Sequence, residues 1–180
     1  MSDWDEIYKC PACGNTDCVP PHNPSNSKIL IVGDYPEGDD ILQGVPFVSR
    51  VGTIMKQQLA RLGYDLSQFC VCNLWQHAPD RIVKKMPIYN NPKCTEYGKK
   101  IVITEAKKKK LILLVGSNVA KTFLTKNVSE LNGMVVNDYL KFDFSAPVVM
   151  ACYNPAIVFH GCAGEVILAL KNFIKEVKKL

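Results

Sequence analysis

Four short apolar runs punctuate an otherwise polar chain. Lys28-Ile-Leu-Ile-Val-Gly33, Gln68-Phe-Cys-Val-Cys-Asn73, Leu111-Ile-Leu-Leu-Val-Gly116 and Pro147-Val-Val-Met-Ala-Cys152 are each nearly continuous in apolar residues and of strand length. Such runs suit strands buried on both faces. Between them the period changes. Val51, Ile54, Met55, Leu59 and Leu62 recur at helical spacing from Ser49 to Leu62, and Gly63 is the stop. A lysine-rich helix is predicted around Lys93 to Lys110, and a short one over Asn118 to Leu124, capped by Ser117 and with Asn127 near its end. The last helix covers Gly164 to Lys179, with Val166, Ile167, Leu170, Ile174 and Val177 on one face. Asp34 to Phe47 and the polar, proline-containing stretch after Asn73 read as loops. Val135 to Phe144 reads as a hairpin or irregular strands, and residues 1–27 as an irregular segment.

Strands alternating with helices predict an α/β layered fold with a mostly parallel sheet. In such folds ligands gather in the loops at the carboxyl ends of the strands. Three of those ends carry unusual chemistry: Gly33 onward, Asn73 onward and Cys152 onward. The site is expected where they converge.

Composition narrows the class. At 180 residues, 47% apolar and 22% charged, the chain fits one globular domain spanning 1–180. Its longest purely aliphatic run, Leu111 to Val115, is too short to span a bilayer, so no membrane association is expected. The opening Met-Ser-Asp-Trp-Asp-Glu is acidic rather than a secretory signal, so an intracellular, cytoplasmic location is expected. A net charge of +5 is compatible with a polyanionic partner without establishing one. The run Lys107 to Lys110 reads as the solvated end of the preceding helix, where cations favour the carbonyl pole.

Several motifs fail. No GxGxxG follows the first strand. Gly33 and Gly38 have the P-loop spacing, but Asp39 stands where the phosphate-binding lysine belongs. HExxH and GxSxG are absent, and no HxE precedes Cys10 to complete a deaminase signature. The eight cysteines are more informative. In a reducing compartment they point to metal or packing rather than disulfides. Cys10-Pro-Ala-Cys13-Gly14 is a metal knuckle by type, but there is no second CxxC. Further ligands must come from Cys18, Cys70, Cys72, Cys94, Cys152, Cys162 and the histidines. Cys70, Cys72 and Cys152 lie on strands and read as small core residues. Cys94 differs, because it opens a helix in the polar setting Asn90-Asn-Pro-Lys-Cys94.

Gly33-Asp-Tyr-Pro-Glu-Gly-Asp-Asp40, then Gly44-Val-Pro-Phe-Val48 and Gly52, resembles the first block of family 4 uracil-DNA glycosylases, the iron–sulfur type. The likeness continues in order through the CxxC, Cys72-Asn73, Trp75-Gln-His77-Ala-Pro79, Cys94, the Leu111 to Gly116 strand and Tyr153-Asn-Pro-Ala156. It implies a single three-layer domain with a central, mostly parallel four-stranded sheet flanked by helices. It further implies an enzyme acting on DNA, expected as a monomer, that hydrolyses the N-glycosidic bond of a flipped-out uracil or related base. A [4Fe–4S] cluster would be held by Cys10, Cys13, Cys94 and His77, the last standing where the family has its remaining cysteine. A Cys3His zinc site is the alternative, with Cys18 or Cys72 as substitutes should His77 be a solvent-exposed loop residue.

By the same resemblance, Phe47 stacks on the base, Asn73 hydrogen-bonds its edge, and Tyr35 and Glu37 flank it. Asp34 replaces the family's glutamate as the group that positions water or stabilises an oxocarbenium-like centre. Asn154 stands where the family has the histidine that steadies charge on the departing base. Glu37 and Ser49 replace glycines. Ile157, Val158 and Phe159 would supply the apolar wedge that enters the duplex, with Ile157 and Val158 touching DNA. The departures at Asn154 and Glu37 leave open a catalytically impaired member that acts as a DNA-binding or replication-accessory protein.

Overall fold

The structure, a computed structural model, describes residues 9–84, 86–138 and 147–180. Its centre is a four-stranded sheet of β1 (Ile29–Gly33), β2 (Cys70–Asn73), β5 (Leu111–Val115) and β6 (Val148–Cys152). The order is β2-β1-β5-β6 and every pairing is parallel, as the apolar runs predict. Helices α3 (Lys93–Ala106), α4 (Ser117–Phe123) and α5 (Val128–Leu131) cover the face formed by Leu30, Val32, Cys70, Cys72, Ile112, Leu114 and Ala151. Helices α2 (Arg50–Arg61) and α6 (Ala163–Val177) cover the face formed by Ile29, Ile31, Val71, Leu113, Met150 and Cys152. The alternation of side chains along each strand feeds both cores, and each fully buried aliphatic side chain contributes roughly 1.5–3 kcal/mol. Cys70, Cys72 and Cys152 are therefore packing residues. Burial pushes the Cys152 thiol up to about 12 and the Cys72 thiol well above its usual value, so neither is a ready thiolate.

Four details differ from the sequence reading. The stretch Asp34 to Phe47 contains a short helix, α1 (Gly38–Gln43), whose polar sequence has no apolar period. The polar stretch after Asn73 contains an antiparallel hairpin, β3 (Arg81–Val83) with β4 (Met86–Ile88). Gly116, not Ser117, occupies the cap of α4, and Ser117 is already helical. Helix α3 stops at Ala106 because the chain must turn into the sheet, where the Lys110 amide donates to the Lys28 carbonyl at 2.7 Å. The lysine run is consequently not all solvated. Lys109 is buried, its Nζ donates to the Ser27 carbonyl at 3.1 Å and lies 3.8 Å from Glu105. Of the predicted irregular segment at 135–144, Val135 pairs antiparallel with Met150, and residues 139–144 lie outside the described residues. None of the helices among the described residues is long and apolar enough to cross a membrane.

Candidate active site and metal centre

At the carboxyl edge of the sheet, the loops after β1, β2 and β6 converge on one open cleft. Gly33, Asp34, Tyr35, Glu37, Phe47, Asn73 and Asn154 all line it, joined by Asp40, Ser49 and Gly52. Six of the expected site residues, drawn from three distant parts of the chain, thus share one cavity.

Phe47 forms the cleft's apolar wall. It is only 5% exposed, and its backbone takes φ +63°, a left-handed conformation unfavourable for an aromatic residue. Two glycines make that placement sterically feasible. A Cβ on Gly52 would lie 1.8 Å from the Phe47 carbonyl oxygen, so α2 approaches the Phe47 backbone only through a glycine. A Cβ on Gly33 would lie 2.6 Å from Asn73 Oδ1 and 2.7 Å from Phe47 Cζ. The missing side chain at Gly33 is what lets ring and amide meet the same space.

Asp40 organises the loop that carries Phe47. It is buried, and its Oδ1 accepts from the Val48 and Ser49 amides at 2.8 and 2.9 Å while Oδ2 accepts from the Glu37 amide at 3.0 Å. Its own amide donates to Ser49 Oγ at 3.1 Å. Ser49, which stands where the resembling family has glycine, is thus part of the scaffold. Sequence reading missed Asp40, since a carboxylate that folds a loop through backbone amides eight and nine residues away leaves no periodic signal.

The polar groups of the cleft are incompletely satisfied. Asp34 Oδ2 accepts from Asn118 Nδ2 at 2.6 Å, but its buried Oδ1 has no partner among the described residues. Burial raises the Asp34 carboxyl to about 6, against a smaller lowering by Asn118. Asn73 Nδ2 is likewise buried and without a partner among the described residues. Native interiors pair nearly every such atom, and these two both face the one cleft. The Tyr35 hydroxyl is shifted upward by burial and then by Asp34 and Glu37. Glu37 stands exposed at the rim; its carboxyl is raised by partial burial and by Asp40 and Asp39, opposed by Arg50. Asn154 caps the 3-10 turn Pro155–His160, its Oδ1 accepting from the Ala156 amide at 2.9 Å. That bond turns Oδ1 toward the turn and leaves Nδ2 without a bond of its own to the turn.

Ile157 and Val158 do not line the cleft. They are half-buried on that turn and pack against the core shared by α2 and α6. Phe159 is the exposed member, at 54%, with the Arg50 guanidinium 4.0 Å from its ring centroid.

Beside the cleft, Cys10, Cys13, His77 and Cys94 bring one donor atom each within 4.8 Å of one another. Three thiols and an imidazole are a metal-binding set, and the fit is close. His77 is 4% exposed, which removes the reading of it as a solvated loop residue. Its Nδ1 lies 2.9 Å from the Ala78 carbonyl, the pairing that leaves Nε2 as the lone-pair nitrogen facing Cys13. Tyr89 donates to the His77 carbonyl at 2.8 Å and sets its ring edge-on to the imidazole. Asn91 Nδ2 donates to the Ala12 carbonyl, tying the knuckle to the entry of α3. The other two possible ligands stand apart: Cys18 is outside the group, its Sγ donating to the Asn15 carbonyl at 3.6 Å, and Cys72 is in the sheet core.

The cleft and its supports fall within residues 20–171, which match the family model described as the uracil DNA glycosylase superfamily. The chain belongs to the uracil DNA glycosylase superfamily. A search of curated proteins finds no match to it. The matched span of this glycosylase-superfamily chain includes His77 and Cys94 but begins after Cys10 and Cys13.

Proposed function

We propose that the chain is a DNA glycosylase that hydrolyses the N-glycosidic bond of uracil, or a related deaminated base, flipped out of DNA. The observation that carries this reading is the pairing of an aromatic wall, Phe47, with an orphaned buried amide at Asn73 in one cleft. A flipped base offers a π-face and an edge of carbonyl and N–H groups, and the two side chains answer these in turn. Asn73 Nδ2 donates to a base carbonyl and Oδ1 accepts from a ring N–H.

Bond cleavage leaves positive charge on the sugar and negative charge on the base. Asp34, ionised above about pH 6, offers its unpartnered Oδ1 to a water molecule or to the cationic sugar. Asn154 Nδ2 donates to the base as it departs. A neutral amide does this less well than a charged donor: removing such a partner outright costs roughly 10²–10³ in rate, and an amide that still donates costs less, about tenfold. Phe159, rather than Ile157 or Val158, fills the space vacated in the duplex, since it is the exposed apolar residue of the turn. Cys10, Cys13, His77 and Cys94 would hold a metal whose role is structural, pinning the N-terminal knuckle to the segment that follows Asn73.

A second reading is favoured by one observation: the cleft sets a carboxylate, Glu37, at its rim beside a neutral amide, Asn154, with no cationic side chain among the described residues that line it. On that reading the chain binds DNA without cutting it. Incubating the metal-replete protein with uracil-containing single- and double-stranded oligonucleotides separates the two. Alkali-labile abasic sites with the parent, and none with Phe47→Ala, are expected. Tight DNA binding without base release, together with gain of release in Asn154→His, would establish the binder instead.

A further inference from the structure

We infer that Cys10, Cys13, His77 and Cys94 hold a single tetrahedral ion, Zn²⁺, rather than the four-iron cluster that the sequence resemblance implies. The inference stands apart from the base-excision reading, because it rests on the spacing of the donors. Cys10 Sγ and Cys94 Sγ are 3.8 Å apart, Cys13 Sγ and His77 Nε2 are 3.5 Å apart, and no two of the four donors exceed 4.8 Å. A tetrahedral zinc with Zn–S near 2.3 Å and Zn–N near 2.05 Å sets its sulfurs about 3.8 Å apart and each sulfur about 3.6 Å from the nitrogen. A cubane binds each protein ligand to a different iron, which spreads the ligand atoms to about 6 Å.

The surroundings resist that expansion. Cys94 sits in the first turn of α3 and Cys10 in the knuckle, both buried. The Asn91–Ala12 hydrogen bond spans the same gap and fixes the two segments at close range. The knuckle itself is closed by the Gly14 amide on the Cys10 carbonyl and the Cys10 amide on the Asn15 carbonyl, each at 2.8 Å. Spreading the donors from within 4.8 Å of one another to about 6 Å would strain these contacts. Four protein ligands close the coordination shell, and the Nδ1 contact to a carbonyl is the usual support for a histidine ligand. The ion would carry no redox chemistry, so the protein would tolerate air.

The test uses the full chain, expressed with both iron and zinc available and purified without oxygen. Metal and acid-labile sulfide are then measured per chain. One zinc, negligible iron and sulfide, and a colourless solution are expected. Replacement with Co²⁺ should give the intense visible bands of a tetrahedral cobalt thiolate. His77→Ala should lose zinc to a chelator at least about tenfold more readily than the parent. A brown protein with four irons and four sulfides, a protein that binds no metal, or a His77→Ala variant that retains zinc as well as the parent would each overturn the inference.

Discussion

The cleft and the cysteine–histidine cluster share one chain segment, with Asn73 opening it and His77 following, yet they are built on opposite terms. In the cleft, two buried polar atoms have no partner among the described residues, and Phe47 sits in an unfavourable backbone conformation. In the cluster, the donors face one another and the groups around them are tied to carbonyls. The cleft withholds interactions that a ligand would complete, at a standing cost to stability. The cluster commits its interactions to the fold. Substitutions should therefore divide, those in the cleft lowering activity and those in the cluster lowering stability.

The largest effect is expected at Cys94. Cys94→Ser removes a metal ligand and should cost about 3 kcal/mol, a fall in Tm of about 6–12 °C for a domain of this size. A thermal melt checks this, and an unchanged Tm would erase the contrast. Asn73→Ala should do the reverse. Base release should fall about 100-fold while Tm moves by less than about 2 °C, because the amide nitrogen it removes has no partner to lose. Single-turnover kinetics and a melt on the same preparation measure both.

Asp34 sharpens the comparison through pH. Its folded carboxyl is raised from 3.8 to about 6, so its contribution to stability is fully present below about pH 4 and is lost as the pH rises through 6. At neutral pH the ionised group costs about 3 kcal/mol. Asp34→Asn should melt higher than the parent at pH 7, with the advantage gone near pH 4. Base release by the parent should run the other way, gaining an acid limb near pH 6 as the carboxylate forms. The smallest effect is at Asn154. If its lone remaining donor limits the departing base, Asn154→His should speed release about tenfold with little change in Tm.

The sheet was legible because strands buried on both faces must be apolar throughout, and all four runs are. The knuckle and Cys94 were legible from residue type and polar setting, the cleft's place from the three strand ends at Gly33, Asn73 and Cys152, and the roles of its residues from the resemblance of the Gly33 to Gly52 block. His77 was reachable only by that resemblance, since it is buried beside Tyr89, twelve residues further along the polar stretch that sequence reading left as loop. Helix α1 was hidden for a related reason: its Gly-Asp-Asp opening is held by Asp40 and Ser49, contacts made across the loop rather than along a face. Lys109 was misjudged because a lysine run looks solvated until the turn into β5 draws one ammonium onto the Ser27 carbonyl.

The central claim is that Phe47 and Asn73 receive a flipped base whose bond to the sugar is then hydrolysed. Mass spectrometry of the small molecules set free from a uracil-containing single-stranded oligonucleotide tests it most directly. The account predicts free uracil with the parent protein and about a hundredfold less with Asn73→Ala. An intact oligonucleotide with the parent, or equal release by parent and variant, would contradict it.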